Sequence, residues 1–164
     1  MTIGTKSVLF GVHQFIWHPL TVGLAWRRLF RVWPTWREWV CIFVHDLGYI
    51  GRRDIDGEDG REHPRLGAVL AFRLLGASFG TFTLLHSRDV ARRRGMKPSP
   101  LCWADKFSVW CDPAWFYLLR AGLSGEIREF KSRAPAHVRD QSDAFWLQWY
   151  RTGVKQIPEV RDYL

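Results

Sequence analysis

Proline placement constrains this chain most. Five prolines follow a plausible helix-capping or boundary residue: His18-Pro19, Trp33-Pro34, His63-Pro64, Ser99-Pro100 and Asp112-Pro113. Proline is tolerated in the first helical turn, where its missing N–H has no partner to lose, so each pair reads as a helix start. Alternating apolar and polar runs are scarce, and no Asn-Gly turn can occur because the chain has no asparagine. Together these predict an all-α fold with helices over about 19–32, 35–48, 64–76, 79–94, 100–111, 113–121, 125–132 and 141–152. The period is clearest in 35–48, where Trp36, Trp39, Val40, Phe43, Val44 and Leu47 recur at helical spacing. A chain of 164 residues without linker or repeat suits one domain, 1–164.

Composition excludes several classes. With 47% hydrophobic and 24% charged residues, disorder is excluded as the main state. Three cysteines, Cys41, Cys102 and Cys111, are too few and odd in number for a secreted disulfide framework. The N-terminus shows no secretory pattern, so a reducing, cytoplasmic location is expected. The apolar stretch Leu66–Leu85 carries Arg73 near its middle and reads as two buried helices joined near Gly76–Gly80, and no membrane partner is expected. Most of the ten tryptophans are expected in the core. The net charge is +8 and nineteen basic residues are arginine, whose planar fork pairs two-pronged with phosphate or carboxylate.

Chemistry concentrates in an ordered set: His18, His45-Asp46, His63, His86 and Asp105. The gaps are 27, 17, 23 and 19 residues, each about one helix plus a connection. In a bundle such spacing lets successive helices place one ligand each at a common depth. Four imidazoles and two carboxylates suit one or two transition-metal ions, and Asp46 could bridge a pair. Between the His45-Asp46 pair and His63 runs the loop Gly48–Glu62, with four glycines and the acids Asp54, Asp56, Glu58, Asp59 and Glu62, read as a lid over the site. His13 and His137 are assigned no role.

The segment Phe43-Val44-His45-Asp46-Leu47-Gly48 resembles the defining motif of the HD superfamily of metal-dependent phosphohydrolases. His18 fits that superfamily's first ligand and Asp105 its last, and the added His63 and His86 match its six-ligand, two-metal branch. His63-Pro64-Arg65-Leu66-Gly67 is similar to the His-Pro-x-x-Gly of the HD-GYP proteins. Their Gly-Tyr-Pro element is missing, however, and cyclic dinucleotide cleavage is not assigned. Tyr49 stands where many relatives carry lysine.

The resemblance covers about residues 18–106 and implies an HD-type helical bundle holding two divalent ions, iron or manganese foremost. One ion falls to His18, His45, Asp46 and Asp105, the other to Asp46, His63 and His86. The implied activity is hydrolysis of a nucleotide or another small phosphate ester by a metal-activated hydroxide. Arg52, Arg53, Arg88, Lys106 and Tyr49 are the expected substrate contacts, with Glu58 or Glu62 as proton donor or water-orienting group beside the catalytic Asp46. The alternative from the same superfamily is a di-iron oxygenase cleaving a C–P or C–C bond. A non-enzymatic nucleic-acid-binding module is the third reading, less favoured because it leaves the histidines unexplained. Trp146, Trp149 and Tyr150 form an aromatic stripe suited to core or homodimer packing, with base stacking as its alternative.

Overall fold

The computed structural model describes residues 1–164 and is all-helical, with no β-strand. Its helices are α1 (Ile3–Phe10), α2 (Trp17–Phe30), α3 (Trp36–Val44), α4 (Pro64–Leu75), α5 (Ala77–Leu84), α6 (Arg88–Arg93), α7 (Pro100–Ser108), α8 (Ala114–Ser124), α9 (Glu126–Ser132), α10 (Ala136–Arg139), α11 (Asp143–Lys155) and α12 (Pro158–Arg161). Two 3-10 turns, Leu47–Tyr49 and Gly60–Glu62, bracket the long loop.

Local chemistry explains the helix ends. Thr35 caps α3 reciprocally with Glu38, each side chain taking the other's backbone N–H. Pro64 and Pro100 open α4 and α7. Gly76 ends α4 at φ 92°, a conformation that costs other residues dearly, and turns the chain directly into α5.

The core joins both ends of the chain. Val22, Ala25, Trp26 and Leu29 of α2 meet Leu101, Cys102, Ala104 and Phe107 of α7, and the same cluster takes in Tyr117 and Ala121 of α8 and Trp146, Leu147 and Val154 of α11. Helix α3 lies between α2 on one side and the α4–α5 hairpin on the other. Gly23 permits the first contact, because a Cβ there would fall 2.0 Å from the Trp39 ring. Burial of side chains such as Leu29, Ile42, Leu101 and Leu147 contributes about 1.5–3 kcal/mol each.

Four expectations are corrected. The helix expected over 79–94 is two, because the chain leaves helical geometry after Leu84 and Ser87 caps a new one by accepting from Val90 N–H. The helix expected over 35–48 stops at Val44, and Leu47–Tyr49 tightens into a 3-10 turn. The 66–85 stretch does form two helices meeting at Gly76, yet α4 is buried on one face only and exposes Leu66, Val69, Phe72 and Leu74. Only Trp26, Trp103 and Trp146 are buried, whereas Trp33, Trp36, Trp115 and Trp149 are exposed. No helix is long and apolar enough to cross a membrane.

Candidate metal centre

The six predicted ligands converge from five parts of the chain. His18 sits in the first turn of α2, His45 and Asp46 directly after α3, His63 directly before Pro64 of α4, His86 just after α5, and Asp105 within α7. They form two donor groups: His18, His45, Asp46 and Asp105 in one, Asp46, His63 and His86 in the other. Asp46 divides its oxygens between them. Its Oδ2 lies 3.2 Å from His18 Nε2 and 3.1 Å from His45 Nε2. Its Oδ1 lies 3.6 Å from His63 Nε2 and 3.5 Å from His86 Nε2. Asp105 Oδ1 closes the first group, 3.2 Å from His18 Nε2 and 3.9 Å from His45 Nε2.

One local device aims three of these imidazoles. His45, His63 and His86 each bond through Nδ1 to the carbonyl three residues back: Ile42 O at 2.6 Å, Gly60 O at 2.7 Å and Thr83 O at 2.6 Å. A carbonyl only accepts, so each Nδ1 carries a proton, and each ring in its neutral form turns an Nε2 lone pair inward. His63 Nε2 and His86 Nε2 then face each other at 2.9 Å. Two lone pairs so close, with Asp46 Oδ1 beside them, call for a shared cation. The other group makes the same demand, since His18 Nε2, His45 Nε2 and Asp46 Oδ2 are buried and have no hydrogen-bond partner. The residues therefore fit a metal ion.

The motif glycines explain how the segments come so close. A Cβ on Gly48 would fall 1.9 Å from His63 O, and one on Gly67 would fall 2.5 Å from Val44 O and 2.9 Å from His45 Cα. Only glycine lets the end of α3 and the start of α4 cross at the distance that brings Asp46 and His63 together.

Electrostatics prepare the donors. Burial opposes ionisation of Asp46, but the charges of His45 and His13 and the closeness of the His18 and His45 rings outweigh it and hold the carboxyl well below its usual range. Asp105 is likewise held low against burial by the nearby His18 and His45 rings and by Lys106. Burial, reinforced by the neighbouring His86, drives His63 well below its ordinary value and keeps it neutral. For His45 burial is overcome by Asp46 and Asp105, which push it up to about 10, so in the metal-free protein a proton offsets the paired carboxylates. A cation would displace that proton.

The cluster lines a cavity of about 980 Å³, the upper end of the range for ligand pockets. Of the residues expected to contact substrate, Tyr49, Arg88 and Lys106 line it. Tyr49 stacks on His63 with ring centroids 4.0 Å apart and meets His13 on its other side at 4.7 Å. The remaining predicted contacts lie elsewhere. Arg52 bonds Gly48 O and Asp59, and Arg53 is exposed beside Asp59. Glu58 is exposed outside the cavity wall, and Glu62 pairs with Arg65 and Arg93. The loop expected as a lid is pinned: Glu129 accepts from the Ile55 and Asp56 N–H groups, and Asp54 accepts from Gly60 N–H. It contributes Ile55, Asp56 and Arg61 to the cavity wall. Trp146 is buried in the core, stacked between Phe130 and Tyr150, and Trp149 is exposed at the cavity.

Sequence reasoning passed over His13. Its ring lines the cavity against His18 and Tyr49, and its Nδ1 lies 3.0 Å from the Oε1 of fully buried Glu126 and 2.7 Å from Ser7 Oγ. Glu126 also accepts from Val12 N–H at 2.8 Å and Ser124 Oγ at 2.5 Å. The one available signal was His13's position five residues before a ligand; its partner is 113 residues away. Comparison with family models, curated proteins and solved structures finds no match to this chain.

Proposed function

We propose that the chain is a metal-dependent phosphohydrolase of HD type, acting on a small phosphate ester such as a nucleotide and holding two divalent ions. The observation that carries this reading is Asp46, which gives one oxygen to each of two buried donor groups, one with the unpartnered Nε2 atoms of His18 and His45, the other with the Nε2 atoms of His63 and His86 facing each other at 2.9 Å. Divalent ions held there supply Lewis acidity and lower the pKa of water toward neutrality. The protein's own groups serve the rest. Arg88 and Lys106, in the cavity wall, are suited to hold an anionic phosphoryl group, with Arg61 and Arg92 on the same wall. His13, whose Nδ1 is fixed by Glu126, has its Nε2 without a protein partner and is the group we assign to carry a proton to the leaving oxygen. Trp103, Trp149 and Tyr150 offer an apolar wall to the remainder of the ester.

A second reading, a di-iron oxygenase cleaving a C–P or C–C bond, is favoured by one feature: Tyr49 stacks over His63 where related hydrolases carry a lysine for phosphate. The test is turnover without air. Manganese-loaded protein should release phosphate from nucleotides or phosphomonoesters under strict anaerobiosis. No release there, together with oxygen consumption by iron-loaded protein given an organophosphonate or polyol, would overturn the hydrolase.

A further inference from the structure

The corner between α2 and α3 carries a surface that the metal centre does not use. Leu20, Leu24, Arg27 and Arg28 fall on one outward stripe of α2, with Arg31 just past its end, and Trp36, Val40 and Phe43 fall on one of α3 beside it. The turn adds Val32 and Trp33. Trp33 and Trp36 are 56% and 64% exposed, unusual for rings of this size, and the face runs about 12 Å along α2 from Leu20 to Arg28.

Its charge is one-sided. Arg27, Arg28, Arg31 and Arg37 are exposed, and none meets a carboxylate within ion-pair distance. Before Asp46 the chain has one acid, Glu38, and that side chain is taken up in capping Thr35 N–H at 2.7 Å. Arg37 lies over the Trp36 ring, 5.1 Å from its centroid, so the cation and the aromatic face share one spot.

We propose that this corner docks the protein on the surface of an anionic lipid bilayer. Exposed tryptophans ringed by arginines suit the headgroup layer, where the rings enter the boundary and the cations meet lipid phosphates and carboxylates. A nucleic-acid backbone would satisfy the arginines but leave Val32, Leu24 and Leu20 in water, which is why the bilayer is favoured. Composition alone suggests no membrane partner; the placement of these residues on one face does. The inference is independent of the metal centre.

The test is co-sedimentation of the full chain with vesicles of phosphatidylcholine, alone or containing phosphatidylserine, at low and raised salt. Binding should require phosphatidylserine and weaken with salt. Arg27→Ala with Arg28→Ala should cut it roughly thirty-fold, at about fivefold per arginine. Trp33→Ala with Trp36→Ala should cut it further, roughly tenfold per ring. Helical circular dichroism and metal content, unchanged in both variants, show that the fold is kept. The proposal is overturned by vesicles that do not bind, or by variants that bind them as the parent does. It is equally overturned if the substitutions abolish binding to single-stranded DNA, or split a dimer in light scattering, with no phosphatidylserine-dependent binding to lose.

Discussion

Asp46 is the residue on which both donor groups depend, because its two oxygens face different histidine sets. Removing any one histidine takes a donor from one group only, whereas removing Asp46 takes one from both. Asp46→Ala should therefore lose all tightly held metal while helical circular dichroism persists. His137→Ala, at an exposed position away from the cluster, should keep it. Metal analysis after gel filtration checks this, and full metal content in Asp46→Ala would remove the bridging role. The His/Asp cluster was legible from its ordered residue types, although the gaps are not one helix each: Asp46 to His63 holds only loop and 3-10 turns, whereas His18 to His45 and His63 to His86 hold two helices each. The supporting residues were not. Glu58 and Glu62 drew attention as acids in a glycine-rich loop, yet one points to solvent and the other into arginines. Glu126, fully buried behind His13, comes from the other end of the chain, and nothing in local spacing links two residues 113 apart.

At the level of elements, the site depends on a close crossing between the end of α3 and the start of α4. Gly48→Ala would push a methyl into His63 O, a 1.9 Å approach that forces the backbones apart. We expect a loss of about 2 kcal/mol in stability, within the usual cost of overpacking. Metal affinity should fall most for the ion nearest His63 and His86, and a metal titration followed by thermal unfolding reads both. A second joint ties α1 and the loop before α2 to the start of α9, where Glu126 gathers Ser7, Val12, His13 and Ser124. Burial alone would raise Glu126, but the bond and charge of His13, then Ser124 and Ser7, hold it below its ordinary 4.5. A carboxyl lowered by folding stabilises fully above its unfolded pKa and loses that contribution as pH falls through the folded value. Glu126→Gln should therefore cost about 3 kcal/mol near neutrality and flatten the stability profile below about pH 4.5; acid titrations of both proteins by circular dichroism check it. A parallel decline in parent and variant would show that Glu126 contributes nothing to acid sensitivity. Most helices were legible because proline starts and the 3.6 period are local, but α1, α10 and α12 fall outside every expected range. The helix ends were not: Ser87 restarts a helix inside an apolar run, and His45 and His86 turn back onto carbonyls at the ends of α3 and α5.

Across the whole molecule, the six ligands connect α2, α3, α4, α5 and α7, so a bound ion would cross-link residues 18 through 105. Without a cation the same cluster is a burden. His18 Nε2, His45 Nε2 and Asp46 Oδ2 are buried without partners, and His63 and His86 set their Nε2 atoms 2.9 Å apart. Each orphaned buried group costs about 1–3 kcal/mol. Metal binds the folded arrangement and not the dispersed ligands of the unfolded chain, so free metal at a thousand times its dissociation constant stabilises by about 4 kcal/mol. For a chain of this size about 1 kcal/mol moves the melting temperature by roughly 2–4 °C. Removing metal with a strong chelator should therefore lower it by roughly 10 °C, and adding back manganese or iron without air should restore it. Asp46→Ala should melt at one temperature whether or not chelator is present, because it has no ion to lose. That comparison needs no substrate and no turnover, so it tests the metal centre apart from the hydrolase. A parent melting temperature indifferent to chelator and to added metal would mean that the buried histidines and aspartates are held by protons alone.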